Sequence, residues 1–120
     1  MEIEVATQER VAILHVSGAI DALTADGLLA VFHRQITLGA RHLVADLSEV
    51  DFASSAGLRA ILSAQKAVRQ QGGDLRLCGA QAQVRRVLEL GRFTSIFKTY
   101  DTTAAAVDSF AGDWSMGGQL

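Results

Sequence analysis

His42-Leu43-Val44-Ala45-Asp46-Leu47 and the residues after it, Ser48-Glu49-Val50-Asp51-Phe52-Ala53-Ser54-Ser55-Ala56-Gly57-Leu58, decide the fold of this chain. The run from 42 to 47 is short and almost wholly apolar, the pattern of a strand covered on both faces, as parallel strands are. Past a polar stretch come Leu58, Ile61, Leu62 and Val68, at the three- and four-residue spacing of one helical face, and Gly72-Gly73 stops the pattern. Ser54 or Ser55 stands where a hydroxyl caps a helix by accepting a backbone N–H two or three residues on. Strand, loop and helix follow one another here.

Toward the C-terminus the alternation continues. Asp74 to Cys78 reads as the next strand, Gln81 to Leu90 as a helix ended by Gly91, Ser95 to Tyr100 as a further strand, and Thr102 to Phe110 as a last helix. Toward the N-terminus, Glu2-Ile3-Glu4-Val5 alternates with period two, and Arg10 to Val16 is β-branched and aliphatic. With Thr7-Gln8-Glu9 between them these segments form a hairpin, and Ser17-Gly18 breaks the second strand. Thr24 is the expected N-cap of a helix carrying Asp26 in its first turn and Leu28, Leu29, Phe32 and Ile36 on its buried face. The order is ββαβαβαβα: an α/β fold with a mixed β-sheet, one domain over residues 1–110. Residues 111–120, with Gly112, Gly117 and Gly118, carry no period and are expected to be a flexible tail.

Composition excludes several functions. Of 120 residues 49% are hydrophobic and 20% charged, enough apolar surface for one core and too much for a disordered segment. Eleven Lys and Arg against thirteen Asp and Glu leave a net charge of −2, so direct nucleic-acid binding has no basic source. Apolar runs no longer than Leu28–Phe32, and a start at Met1-Glu2-Ile3-Glu4, give no membrane insertion and no secretory signal, and point to a cytoplasmic protein. Cys78 has no second thiol for a disulfide or a zinc site. His15, His33 and His42 lack metal-ligand spacing, and Gly72-Gly73-Asp74 lacks the Lys-Ser/Thr of a phosphate loop. A serine hydrolase needs Gly-x-Ser-x-Gly and a later histidine. Ala53 occupies the first glycine position and every histidine precedes Ser55. No catalytic residue, cofactor or metal is therefore assigned.

What remains is the strand-to-helix junction, where α/β proteins place their sites. The two serines carry two readings. One is a helix cap. The other is a phosphate acceptor, because a helix start with unpaired N–H groups and the positive end of the dipole tolerates a dianion. Around them, Asp46 is placed to accept N–H groups of the following loop, and Phe52 to pack beneath that loop. Gly57 sits where something approaches the first helical turn closely, and Arg59 lies one turn after Ser55, at the spacing for pairing with a phosphate.

These residues bring the chain to a known family. Over roughly residues 3 to 110 it resembles the STAS-domain anti-sigma-factor antagonists of bacteria. The resemblance is carried by Leu43 to Leu58, and more weakly by Ser17-Gly18-Ala19-Ile20-Asp21 and Val84-Arg85-Arg86-Val87-Leu88-Glu89-Leu90. It implies a non-enzymatic switch. An unphosphorylated antagonist binds a serine-kinase anti-sigma factor and releases the sigma factor; the kinase phosphorylates the antagonist, and a serine phosphatase resets it. The family's Asp-Ser-x-Gly-Leu pattern puts the phosphoacceptor at Ser55. Its preceding acid is replaced by Ser54, which becomes the second choice of acceptor. Asp21 matches the family acid near the acceptor, its other reading being a turn-stabilising Asx residue. The implied partner-binding surface is Asp21, Thr24, Phe52, Ala53, Ser54, Ser55, Ala56, Gly57 and Arg59. The same family also supplies non-switching interaction modules in transporters and sensory complexes, which is the alternative.

Overall fold

The apolar run at 42–47 is the middle of a five-stranded sheet in the computed structural model, which describes residues 1–111. The elements are β1 (Glu2–Gln8), β2 (Val11–Ile20), α1 (Ala25–Thr37), β3 (His42–Ala53), α2 (Ser55–Gln70), β4 (Asp74–Cys78), α3 (Ala82–Leu90), a 3-10 turn (Phe93–Ser95), β5 (Thr99–Tyr100) and α4 (Thr103–Asp108). In the sheet the strands lie in chain order. β1 pairs antiparallel with β2, and every later neighbour is parallel. The order read from the sequence is the order found. Of the expected tail, 111–120, only Ala111 lies within the described residues.

Alternation along the strands makes two cores. Ala12, Leu14 and Val16 of β2, Leu43, Ala45 and Leu47 of β3, and Leu75 and Leu77 of β4 point to one face. There they meet Leu28 and Phe32 of α1, Leu58, Ile61, Ala64 and Val68 of α2, and Val84 and Leu88 of α3. The intervening positions, Val11, Ile13, Val44 and Cys78, face Ala106 and Val107 of α4 and the following Phe110. Phe110 is held between the His42 ring, 4.6 Å away and stacked, and the Arg76 guanidinium, 4.0 Å above its centroid. Arg76 is buried because Asp74 and Ser109 accept its hydrogen bonds, at 3.1 and 2.7 Å. Burial pushes the Cys78 thiol up to about 11, so it stays protonated and unreactive at neutral pH.

Several boundaries differ from the sequence reading. The hairpin turn is only Glu9-Arg10, because Thr7 and Gln8 belong to β1 and pair with Ala12 and Val11, and α4 stops at Asp108, short of Phe110. β2 does not break at Ser17-Gly18 but runs on to Ile20, with Gly18 at φ +89°. β3 does not end at Leu47 but continues to Ala53. The two extensions share a cause. His15 lies opposite Asp46 but Ser17 opposite Glu49, and Gly18 lies opposite Val50 but Ala19 opposite Phe52, so at each shift β3 spends one residue more than β2. These bulges stretch its inward spacing from two residues to three, at Leu47, Val50 and Ala53, and hide the strand from a period-two search. The last strand is only Thr99–Tyr100. The 3-10 turn at 93–95 takes up the chain before it and turns Phe93 and Phe97 inward.

Candidate functional site

Where β3 ends, the two serines divide the roles that the sequence left open. Ser54 is the N-cap of α2: its backbone is extended, and its Oγ accepts the Gly57 N–H at 3.2 Å. Its own N–H donates to Ile20 O at 2.9 Å. Ser55 is the first residue of α2 and is exposed. Its hydroxyl has no hydrogen-bond partner among the described residues. The first free N–H groups of α2 point the same way as any helix start, toward incoming negative charge.

Two segments far apart in sequence are joined here. Gly57 is buried against the end of β2, where a Cβ would lie 2.5 Å from Ile20 O and 2.7 Å from Ile20 C. That is the close approach expected of this glycine, and it seats the Asp21 loop beside the first turn of α2. Asp21 itself makes an Asx turn: its Oδ1 accepts the N–H groups of Leu23 and Thr24 at 2.9 and 3.1 Å. Thr24 occupies the N-cap position of α1 but makes no side-chain cap bond. Its hydroxyl is used upstream instead, accepting the Asp21 N–H at 2.9 Å and donating to Ala19 O at 3.1 Å. Phe52 corrects another expectation. It does not pack beneath the loop but stands 46% exposed, because the three-residue spacing of β3 turns Val50 and Ala53 inward in its place. Ala56 is half-buried, and Arg59 is exposed and in no ion pair among the described residues.

Two side chains that the sequence reading did not single out, Gln81 at the N-cap of α3 and Gln83 in its first turn, hold the site. β4 pairs with β3 only as far as Asp46, so the rest of the β3 edge has no strand beside it. Gln83 fills that place. Its Oε1 accepts the Ala53 N–H at 2.9 Å and its Nε2 donates to Ala53 O at 3.2 Å, while Gln81 Nε2 donates to Ser48 O at 2.8 Å. The residue just before the cap is thus clamped on both backbone groups. Asp46 accepts the Ser48 N–H at 3.0 Å, as expected, and also the His15 Nδ1–H at 2.7 Å, which was not. Partial burial pushes its carboxyl up, but the Ser48 N–H, the His15 ring and the Ser48 side chain outweigh this, and the net shift is downward. Among the described residues no group of three or more His, Cys, Asp or Glu is placed to hold a metal ion.

Comparison with known proteins shows the family and the fold. The STAS domain family model matches residues 2–106. BtrV of Bordetella bronchiseptica, provisionally named an anti-sigma factor antagonist, is 39% identical over 93 residues, 78% of this chain and 80% of that protein. The crystal structure of an anti-sigma factor antagonist from Mycobacterium paratuberculosis superposes with a TM-score of 0.82 at 26% identity, covering 90% of this chain and 92% of that one. SpoIIAA shares the fold in both its unphosphorylated form (TM-score 0.71, 18% identity, 92% and 99% of the two chains) and its phosphorylated form (0.70, 15%, 90% and 98%). The chain belongs to the STAS-domain family of anti-sigma factor antagonists. Among the described residues no helix is long and apolar enough to cross a membrane.

Proposed function

We propose that this protein is an anti-sigma factor antagonist of the partner-switching kind. With Ser55 unmodified it binds a serine-kinase anti-sigma factor and sets a sigma factor free. Phosphorylation of Ser55 by that kinase ends the binding, and a serine phosphatase restores it. The observation that carries this reading is the division of labour at the α2 start: Ser54 is committed to the cap, and the Ser55 hydroxyl is exposed and uncommitted. A phosphoryl group on Ser55 adds about −1.5 to −2 charges at the positive end of a helix, where the fold tolerates it. Arg59, one turn on, stands at the spacing for a charge-assisted bond to it. The cost falls on the complex, because an interface that closes over Ser55 must strip water from the dianion and offers it no counter-charge of its own, which costs several kcal/mol. The names of BtrV and the Mycobacterium protein support an anti-sigma factor as partner, and the phosphorylated form of SpoIIAA supports a modification compatible with the fold.

Calorimetric titration with the kinase-type anti-sigma factors of the same organism tests this. Ser55→Asp is expected to weaken binding at least about tenfold, or roughly 1.4 kcal/mol, with the fold intact. Ser55→Ala is expected to bind as the wild type does and to stay bound when ATP is added. Equal affinities for Ser55→Asp and the wild type would leave a non-switching interaction module in its place.

A further inference from the structure

Leu23 is 93% exposed, the most exposed of the large hydrophobic side chains among the described residues, and it lies in a turn that is tightly held. Asp21 Oδ1 accepts the Leu23 N–H at 2.9 Å, and Thr24 ties the same turn to Ala19 O and to the Asp21 N–H. A leucine whose backbone is already held outward has only its side-chain rotamers left to order on docking, which favours an anchor residue. Its position points to the same end of the molecule as Ser55. Ile20, three residues before it, accepts the Ser54 N–H and abuts Gly57, and Phe52, 46% exposed, belongs to the strand that pairs with this end of β2.

Charge also separates along the chain. Residues 54–100 carry eight Lys or Arg against two Asp or Glu, whereas residues 1–53 carry three against eight. On α2 the positive charge is in register with the acceptor. At about 100° per residue, Ser55, Arg59 and Lys66 fall within about 40° of arc on the solvent side of the helix, and all three are exposed. Neither cation is in an ion pair among the described residues, unlike Arg69, which Asp74 holds at 2.9 Å.

We propose that Leu23 is the apolar anchor of the partner interface and that Arg59 and Lys66 form its charged flank. The docked protein is then the kinase-type anti-sigma factor, presenting an apolar socket bordered by carboxylates. The inference rests on the reading of Ser55 as the docking switch. It selects a protein rather than a nucleic acid, because a phosphate backbone offers Leu23 no socket. It selects the kinase rather than a second copy of this chain, because the kinase must reach Ser55 at this end.

The test is titration of the anti-sigma factor that binds the wild-type chain against Leu23→Ala, Leu23→Asp and the double variant Arg59→Glu with Lys66→Glu. Leu23→Asp is expected to weaken binding at least about thirtyfold and Leu23→Ala about tenfold, with unchanged thermal unfolding because the side chain is almost fully solvated. The double charge reversal is expected to slow association about tenfold at low salt, a difference that closes at about 0.5 M salt. If Leu23→Asp binds like the wild type while Ser55→Asp does not, the anchor is overturned and the switch stands. If both bind like the wild type, the switch itself fails and the inference falls with it. A wild-type dimer in sedimentation that Leu23→Asp dissolves would assign the leucine to a second copy and overturn the kinase as its occupant.

Discussion

Asp74→Ala is expected to lower the unfolding free energy by about 3–5 kcal/mol, because it removes one partner of a buried ion pair. Asp74 opens β4 and accepts from two arginines, Arg69 Nε at 2.9 Å and Arg76 Nε at 3.1 Å. The two bonds are unequal in consequence. Arg69 is 47% exposed, so losing its pair costs no more than a surface salt bridge, about 0–1 kcal/mol. Arg76 is 4% exposed, and without the carboxylate its buried charge loses the Asp74 anion at the edge of the α4 core. Ser109 Oγ and the Phe110 face are among the groups that stay beside it. pH gives a second check. Burial pushes the Asp74 carboxyl up, but Arg69, Arg76 and the Leu75 N–H outweigh it and hold the pKa below the ordinary value. A depressed carboxylate contributes stability that is present above its unfolded pKa, about 3.9, and is lost as pH falls through the folded pKa. The urea midpoints of wild type and Asp74→Ala should therefore stand far apart at pH 7 and draw together in acid. A loss below about 1 kcal/mol at pH 7 would mean that Arg76 finds another way to be satisfied.

Gly57→Ala is expected to destabilise the protein by about 1–3 kcal/mol, although helix propensity alone argues the other way. Alanine is better than glycine in a helix by about 1 kcal/mol. Here the added Cβ would lie 2.5 Å from the Ile20 carbonyl oxygen and 2.7 Å from its carbon, both backbone atoms that cannot swing aside. Either the first turn of α2 moves off the end of β2 or the β2 end shifts, and the Ser54 N–H bond to Ile20 O is strained in both cases. The sign of the change in thermal unfolding decides between propensity and contact. A gain in stability would show that the two halves of the site are not pressed together as described.

The sequence made the architecture legible because most elements advertise themselves by period. Leu28 and Phe32, and then Leu58, Ile61 and Val68, stand on single helical faces, and glycines close each helix. The second half of β3 was not legible, since its bulges replace the period of two by three, and Ser48 to Ala53 then look like a loop. Read as a loop, this stretch places Phe52 beneath it, whereas the strand geometry turns the ring out. The same boundary hid Gln83. A strand edge left without a neighbour needs a donor and an acceptor from elsewhere, but the need is visible only once β3 is known to outrun β4. Ser54 and Ser55 were recognised as a pair. Which of them caps the helix depends on the backbone angles at a single residue, φ −101° and ψ 166° at Ser54, and no side-chain pattern encodes that. Leu23 was overlooked because one isolated leucine in a polar turn has no period to betray it.

Fragment-ion mass spectrometry of the chain, after incubation with its anti-sigma factor kinase and ATP, bears most directly on the regulatory account. The phosphate is expected on Ser55, whose hydroxyl is exposed and has no partner among the described residues, and not on Ser54, whose oxygen already accepts the Gly57 N–H. Phosphate found only on Ser54, or none transferred by a kinase that binds the chain, would contradict it.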